Sequence, residues 1–213
     1  MPLRIVAPPS ATPKQAARRA VKWALDQGFE PAGLHAYTNA DGSVAFWRIR
    51  AKHPATGDKI IRPMRLAPCG YVLAEPEFTG GKPVYRLHSL LEREDDSVFV
   101  VEGENCADAI ARLGLCATTS GGADSARSCD WRPLAGRRVI VWPDADAPGA
   151  RYGADVLRLV APLAAVLVVL DPQRLGLADG CDVVDWLRLN PGATGSDLLG
   201  LADQGCAFAS EAR

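Results

Sequence analysis

Two acidic clusters, each at the end of a strand-like apolar run, carry the chemistry this chain offers. Val98-Phe99-Val100-Val101 runs into Glu102-Gly103-Glu104, and Arg138-Val139-Ile140-Val141-Trp142 runs into Pro143-Asp144-Ala145-Asp146. In a parallel α/β sheet the carboxyl ends of the strands form the ligand crevice, so carboxylates placed there converge. Like charges brought together repel unless a cation neutralises them. Mg²⁺, which takes oxygen ligands and keeps several waters, suits such a cluster. A third acidic stretch, Asp179-Gly180-Cys181-Asp182-Val183-Val184-Asp185, follows further on. The chemistry within reach is phosphoryl transfer, in which a metal neutralises charge on the transferred group and a side chain handles the proton of the attacking hydroxyl. Acids ahead of a helix also serve as N-caps. Capping is the simpler account of Asp144 and Asp146 taken alone, whereas three acidic clusters at one sheet edge favour a metal.

The elements that must position these residues alternate strand and helix from residue 96 onward, which predicts a parallel sheet with helical crossovers. Strands are expected over 98–101, 115–119, 138–142 and 164–170, with helices over 105–113, 149–160 and 182–189 and a last helix over 196–209. The fold class is therefore α/β, a parallel sheet flanked by helices. Ahead of it lies a small α+β module. After a proline-rich lead, apolar residues at 3.6-residue spacing predict a helix over 14–27 closed by Gly28. His35–Thr38 and Val44–Arg50, joined through Asp41-Gly42, predict a β-hairpin, and another strand is expected near 59–64. The acid-rich run 92–96 reads as a junction. The expected domains are residues 1–95, 96–190 and a C-terminal helix in 191–213.

Length and an apolar fraction of 48% support a sizeable core. No apolar run approaches a membrane span or a signal peptide, so a cytoplasmic location with no membrane partner is expected. The six cysteines form no CxxC pair, which argues against a zinc ribbon. The net charge of −1 hides an asymmetry: residues 1–93 hold 14 Lys and Arg against 7 Asp and Glu, and residues 94–213 hold 10 against 18. A basic front and an acidic back suit a polyanion on the first part and metal on the second. Arg48, Arg50 and Lys52 alternate along one strand and so share a face, which Arg62 extends; with Lys59 and Arg65 they are the nucleic-acid-binding candidates. A solvated sheet face is the alternative. The Ser120-Gly121-Gly122 turn offers backbone N–H groups to a phosphate, or is simply a turn.

Val100-Val101-Glu102-Gly103 after a strand, then Pro143-Asp144-Ala145-Asp146-Ala147-Pro148-Gly149, then Asp179-Gly180-Cys181-Asp182-Val183-Val184-Asp185-Trp186-Leu187, resemble the signature motifs of the TOPRIM domain. That domain is shared by bacterial-type primases, type IA and II topoisomerases and certain nucleases. The chain looks most like the TOPRIM segments of primases and primase-helicases of phages and mobile elements, over residues 96–190 and more loosely over 35–95. The resemblance implies a Rossmann-like TOPRIM sheet and Mg²⁺ or Mn²⁺ held by Asp144, Asp146, Asp182 and, in second rank, Asp185. It implies Glu102 as general acid/base or further ligand, while Gly103 lets the backbone approach a phosphate closely. It further implies nucleotidyl transfer on a single-stranded DNA template with nucleoside triphosphates, in company with a replicative helicase. TOPRIM nucleases and non-catalytic nucleic-acid-binding or partner modules are the alternatives. One departure stands out: where replicative primases often carry an acid four residues after the motif glutamate, this chain has Cys106, and the acid is Asp108, two residues further on and about 200° round a helix.

Overall fold

The computed structural model describes residues 4–204 and 207–211. Pro2 of the expected lead and Cys206, within the expected last helix, lie outside the described residues. The chain divides into two compact units, Met1–Phe78 and Thr79–Arg213.

The first unit is an antiparallel sheet. Its elements are β1 (Ile5–Ala7), α1 (Pro13–Ala20), α2 (Lys22–Leu25), β2 (Glu30–Thr38), β3 (Val44–Lys52), β4 (Lys59–Ala67) and β5 (Gly70–Val72), with strand order β1-β5-β4-β3-β2. Thr12 and Gln15 close a capping box at the start of α1, each side chain accepting from the other's backbone N–H, with Pro13 in the first turn. The helix expected over 14–27 is broken at Val21, whose φ of −111° and ψ of 15° separate α1 from α2. Small residues on this face, Ala16, Ala17 and Ala20, let the helix settle against Ile49, Met64 and Tyr71. The proline-rich lead contains a strand, β1, paired antiparallel with β5.

The second unit is mixed α/β. It runs β6 (Lys82–Pro83), α3 (Leu87–Leu91), β7 (Val98–Val101), α4 (Glu104–Arg112), β8 (Cys116–Thr118), β9 (Cys129–Asp130), β10 (Arg138–Trp142), α5 (Ala147–Val160), β11 (Val166–Leu170), α6 (Val183–Leu189), α7 (Gly195–Asp203) and β12 (Ala207–Glu211). The main sheet has the order β12-β11-β10-β7-β8. Its pairs from β11 to β8 are parallel, and β12 adds an antiparallel edge. Every residue of β7 is buried, as expected of strands covered on both faces. The pleat sends Val98, Val100, Val139 and Val141 toward Tyr152, Val156 and Val160 of α5. Trp142, on the opposite face, packs edge-on to Trp186 of α6 at 5.6 Å between ring centroids.

Two further expectations differ from this picture. The last helix ends at Asp203, and residues 207–211 form a strand instead. Residues 79–95, read as part of the basic module, belong to the second unit: β6 pairs parallel with β9, Tyr85 N–H donates to Thr119 O, and Arg137 binds the end of the segment. This buried guanidinium donates to Leu90 O at 2.9 Å and Asp96 O at 2.9 Å, and to Arg93 O, tying α3 and the acid-rich run to the start of β10. No helix among the described residues is long and apolar enough to cross a membrane.

Candidate functional site

Register builds the site. Val101 pairs with Trp142 at the ends of neighbouring parallel strands, so Glu102 and Pro143 leave the sheet side by side, about 4.8 Å apart along the hydrogen-bonding direction. The loop carrying Asp144 and Asp146 is then joined to the third acidic stretch: Ala145 N–H donates to Cys181 O at 2.8 Å, and Gly180 N–H donates to Ala145 O at 3.0 Å. Cys106, on the first turns of α4, donates its Sγ–H to Asp182 Oδ2 at 3.3 Å. All three acidic stretches therefore share the C-terminal edge of the sheet.

Most of these carboxylates also hold helices. Asp146 Oδ1 accepts the Gly149 N–H at 2.6 Å and caps α5, which begins at Ala147, ahead of the expected residue 149. Asp182 Oδ1 accepts from Val184 N–H at 2.7 Å and Asp185 N–H at 3.2 Å. Asp185 completes the capping box by accepting from Asp182 N–H at 3.2 Å, and its other oxygen takes Arg188 Nη1 at 2.7 Å. The capping account thus describes Asp146, Asp182 and Asp185, each through named oxygens. Asp144 is half-buried. Glu102 is half-buried with Oε2 inside the protein, and its carbonyl accepts the Thr119 hydroxyl at 2.7 Å.

Among the described residues, no group of three or more His, Cys, Asp or Glu stands together as a metal cage. Mg²⁺ does not require one, since it is commonly bound through one or two carboxylates, substrate phosphates and several waters. The donor set at this edge, carboxylate oxygens on three convergent segments, fits that mode of binding and not a preformed all-protein site.

Sequence reasoning assigned no role to three residues that shape the edge. Gly149 lies against the Asp144 backbone so closely that a Cβ there would stand 2.3 Å from Asp144 O. Its position three residues after Asp146 is the available signal. Tyr152 is fully buried; its hydroxyl donates to Val101 O at 3.0 Å and accepts from Ser120 Oγ at 3.2 Å, linking the ends of β7 and β8. Burial pushes this phenol up to about 12, against hydrogen bonds from Ser120 and Thr119 that pull it down. Cys106 faces Asp182 across 76 residues of sequence.

In the Ser120-Gly121-Gly122 turn only Ser120 enters the core, and the two glycines stay half-buried. Ser120 is buried, its N–H points to the Tyr152 hydroxyl at 3.4 Å, and Gly121 N–H donates to Thr119 Oγ1 at 2.9 Å. Both glycines have positive φ, 102° and 140°, a conformation that favours glycine. Gly103 is the N-cap residue of α4, in extended conformation. Asp108 accepts the Tyr85 hydroxyl at 3.1 Å and Arg86 Nη1 at 3.2 Å. Burial, then the Asp108 carboxylate, raise the Tyr85 phenol far above its ordinary value.

The basic strand face is smaller than its sequence suggests. Arg48 is buried, its guanidinium 5.5 Å over the Tyr37 ring and 3.4 Å from Glu75 Oε1, so it braces the sheet. Arg62 pairs with Ile49 and therefore lies on the helix-covered face, opposite Arg48, Arg50 and Lys52. Arg65 is half-buried, with Nε enclosed. Lys52 and Lys59, directly paired, are exposed, and Arg50 is half-buried one pleat along.

No protein-family model matches the chain, and no curated protein matches it.

Proposed function

We propose that the chain is a primase-type TOPRIM protein that carries out Mg²⁺-dependent nucleotidyl transfer on single-stranded DNA in the replication of a phage, plasmid or mobile element. The observation that carries this reading is the joining of three acidic stretches at one sheet edge through the Ala145–Cys181, Gly180–Ala145 and Cys106–Asp182 contacts. Asp144 and Asp146, with Asp182, are the residues that would hold Mg²⁺ or Mn²⁺. Bound there, the ion supplies charge neutralisation at the transferred phosphoryl group. Glu102 takes the proton of the attacking hydroxyl. Arg50, Lys52 and Lys59 hold the template backbone through charge. Nucleoside triphosphates and a replicative helicase are the remaining partners, and the cytoplasm is the place of action.

Primer synthesis on single-stranded DNA with Mg²⁺ or Mn²⁺, comparing the native chain with Asp144→Asn, tests the assignment. Synthesis by the native chain and its loss in the variant are expected; equal activity in both rejects it. Nicking of plasmid DNA without added nucleotides selects the nuclease instead.

A second reading has its own observation. Asp146, Asp182 and Asp185 all serve as helix caps, as a non-catalytic nucleic-acid-binding module would use them. That module binds DNA with a steep salt dependence and ignores chelators.

A further inference from the structure

Arg86 is the one non-glycine residue among those described with a positive φ, 61° with ψ 30°. This left-handed conformation is disfavoured for any residue with a Cβ, and glycine or asparagine would fill it more readily. The surroundings impose it. Tyr85 N–H donates to Thr119 O at 2.9 Å, Tyr85 O accepts the Thr118 hydroxyl at 2.7 Å, and Leu90 N–H donates to Arg86 O at 3.1 Å. A strained position that keeps a long cationic side chain is a mark of use. The guanidinium has five N–H donors. Its one hydrogen bond among the described residues is Nη1 to Asp108 Oδ1, at 3.2 Å, longer than a tight charge-assisted contact. A third of the side chain, 34%, remains exposed. The same Tyr85–Thr119 contact connects this segment to Glu102, whose carbonyl accepts the Thr119 hydroxyl at 2.7 Å.

We propose that Arg86 binds a phosphate oxyanion beside the C-terminal end of β8, with Asp108 and the Tyr85 clamp holding the guanidinium ready. The identity of that phosphate, the triphosphate of a nucleotide or a phosphodiester of the template strand, rests on the nucleotidyl-transfer reading; the anion site itself does not.

The test is binding of two probes to the full chain in EDTA and again with Mg²⁺: a deoxynucleoside triphosphate, and an unphosphorylated oligo(dT). The native chain is compared with Arg86→Gly and Arg86→Ala, and each is melted. Arg86→Gly is expected to melt at or above Arg86→Ala, since it relieves the backbone, yet to weaken one probe by about tenfold or more. Loss confined to the triphosphate assigns the nucleotide. Loss confined to the oligonucleotide, with its salt slope shallower by about one, assigns the strand. Binding of both probes by both variants within about threefold of native overturns the proposal, as does a native chain that binds neither. A native chain that makes no primer but shows the Arg86-dependent binding rejects the catalytic reading and leaves this site standing.

Discussion

Cys106 Sγ and Asp182 Oδ2 lie 3.3 Å apart, joining the helix after the first acidic cluster to the cap of α6. On the proposed primase reading Cys106 stands where an acid is often placed, and its neighbour shows what an acid there would meet. In Cys106→Asp a second carboxylate is set beside Asp182 in a buried place, and the pair repels. The variant should melt below the native chain without metal, and millimolar Mg²⁺ should raise its melting temperature by about 3 °C or more. A thermal scan with and without chelator decides it; no response to Mg²⁺ means the edge does not accept the ion.

Asp146 separates capping from ligation. Asp146→Ala removes the Gly149 cap and should cost about 1 kcal/mol, while Asp146→Asn, an equally good N-cap, should cost much less. Both should lose metal-dependent synthesis. Chemical denaturation paired with a primer assay checks this, and full activity in Asp146→Asn assigns Asp146 to the helix alone.

Gly149→Ala drives a Cβ to 2.3 Å from Asp144 O and 2.8 Å from its C and N atoms. Backbone cannot yield as a side-chain tip does, so the substitution should destabilise by about 3 kcal/mol or more. Gly153→Ala, one turn on, meets the Pro143 ring at 3.3 Å (Cβ) and 3.5 Å (Cγ), and the gain in helix propensity of about 1 kcal/mol should leave it near neutral. Equal denaturation midpoints for the two variants contradict the close approach.

Tyr152→Phe deprives Val101 O and Ser120 of their partner and should cost about 1–3 kcal/mol. The phenol's folded value, about 12, lies above its ordinary 10.0, so the native state holds this proton more tightly than the unfolded chain does. Its contribution is complete below pH 10 and fades as pH rises toward about 12. Denaturation across that alkaline window should show a component of stability loss in the native chain that Tyr152→Phe lacks.

The strands Val98–Val101 and Arg138–Trp142 were legible as continuous apolar runs, and the helices after Asp146 and Asp182 began where short acidic side chains offer caps. What escaped depends on partners distant in the chain. By sequence spacing Arg62 extends the Arg48–Lys52 row, but register sets it opposite Ile49, and register is decided by packing across strands. The unit boundary near Phe78 follows from partners far along the chain: β6 pairs with β9, and Arg137 binds the carbonyls of Leu90, Arg93 and Asp96 more than forty residues earlier. Residues 207–211 become a strand through pairing with β11, a non-local choice that weak local propensity cannot announce. The inward turn at Ser120 follows from Tyr152, thirty-two residues later.

The two flanks of the main sheet differ: β12 is the outermost strand beside β11, and at the other end the Tyr85 N–H donates to the Thr119 carbonyl just past β8. Unguarded strand edges are templates on which a second polypeptide can add itself, the first step toward fibrous aggregates. The Tyr85 N–H thus fills one acceptor just beyond β8, while on the other side the row of groups open to pairing is carried by β12, the outermost strand.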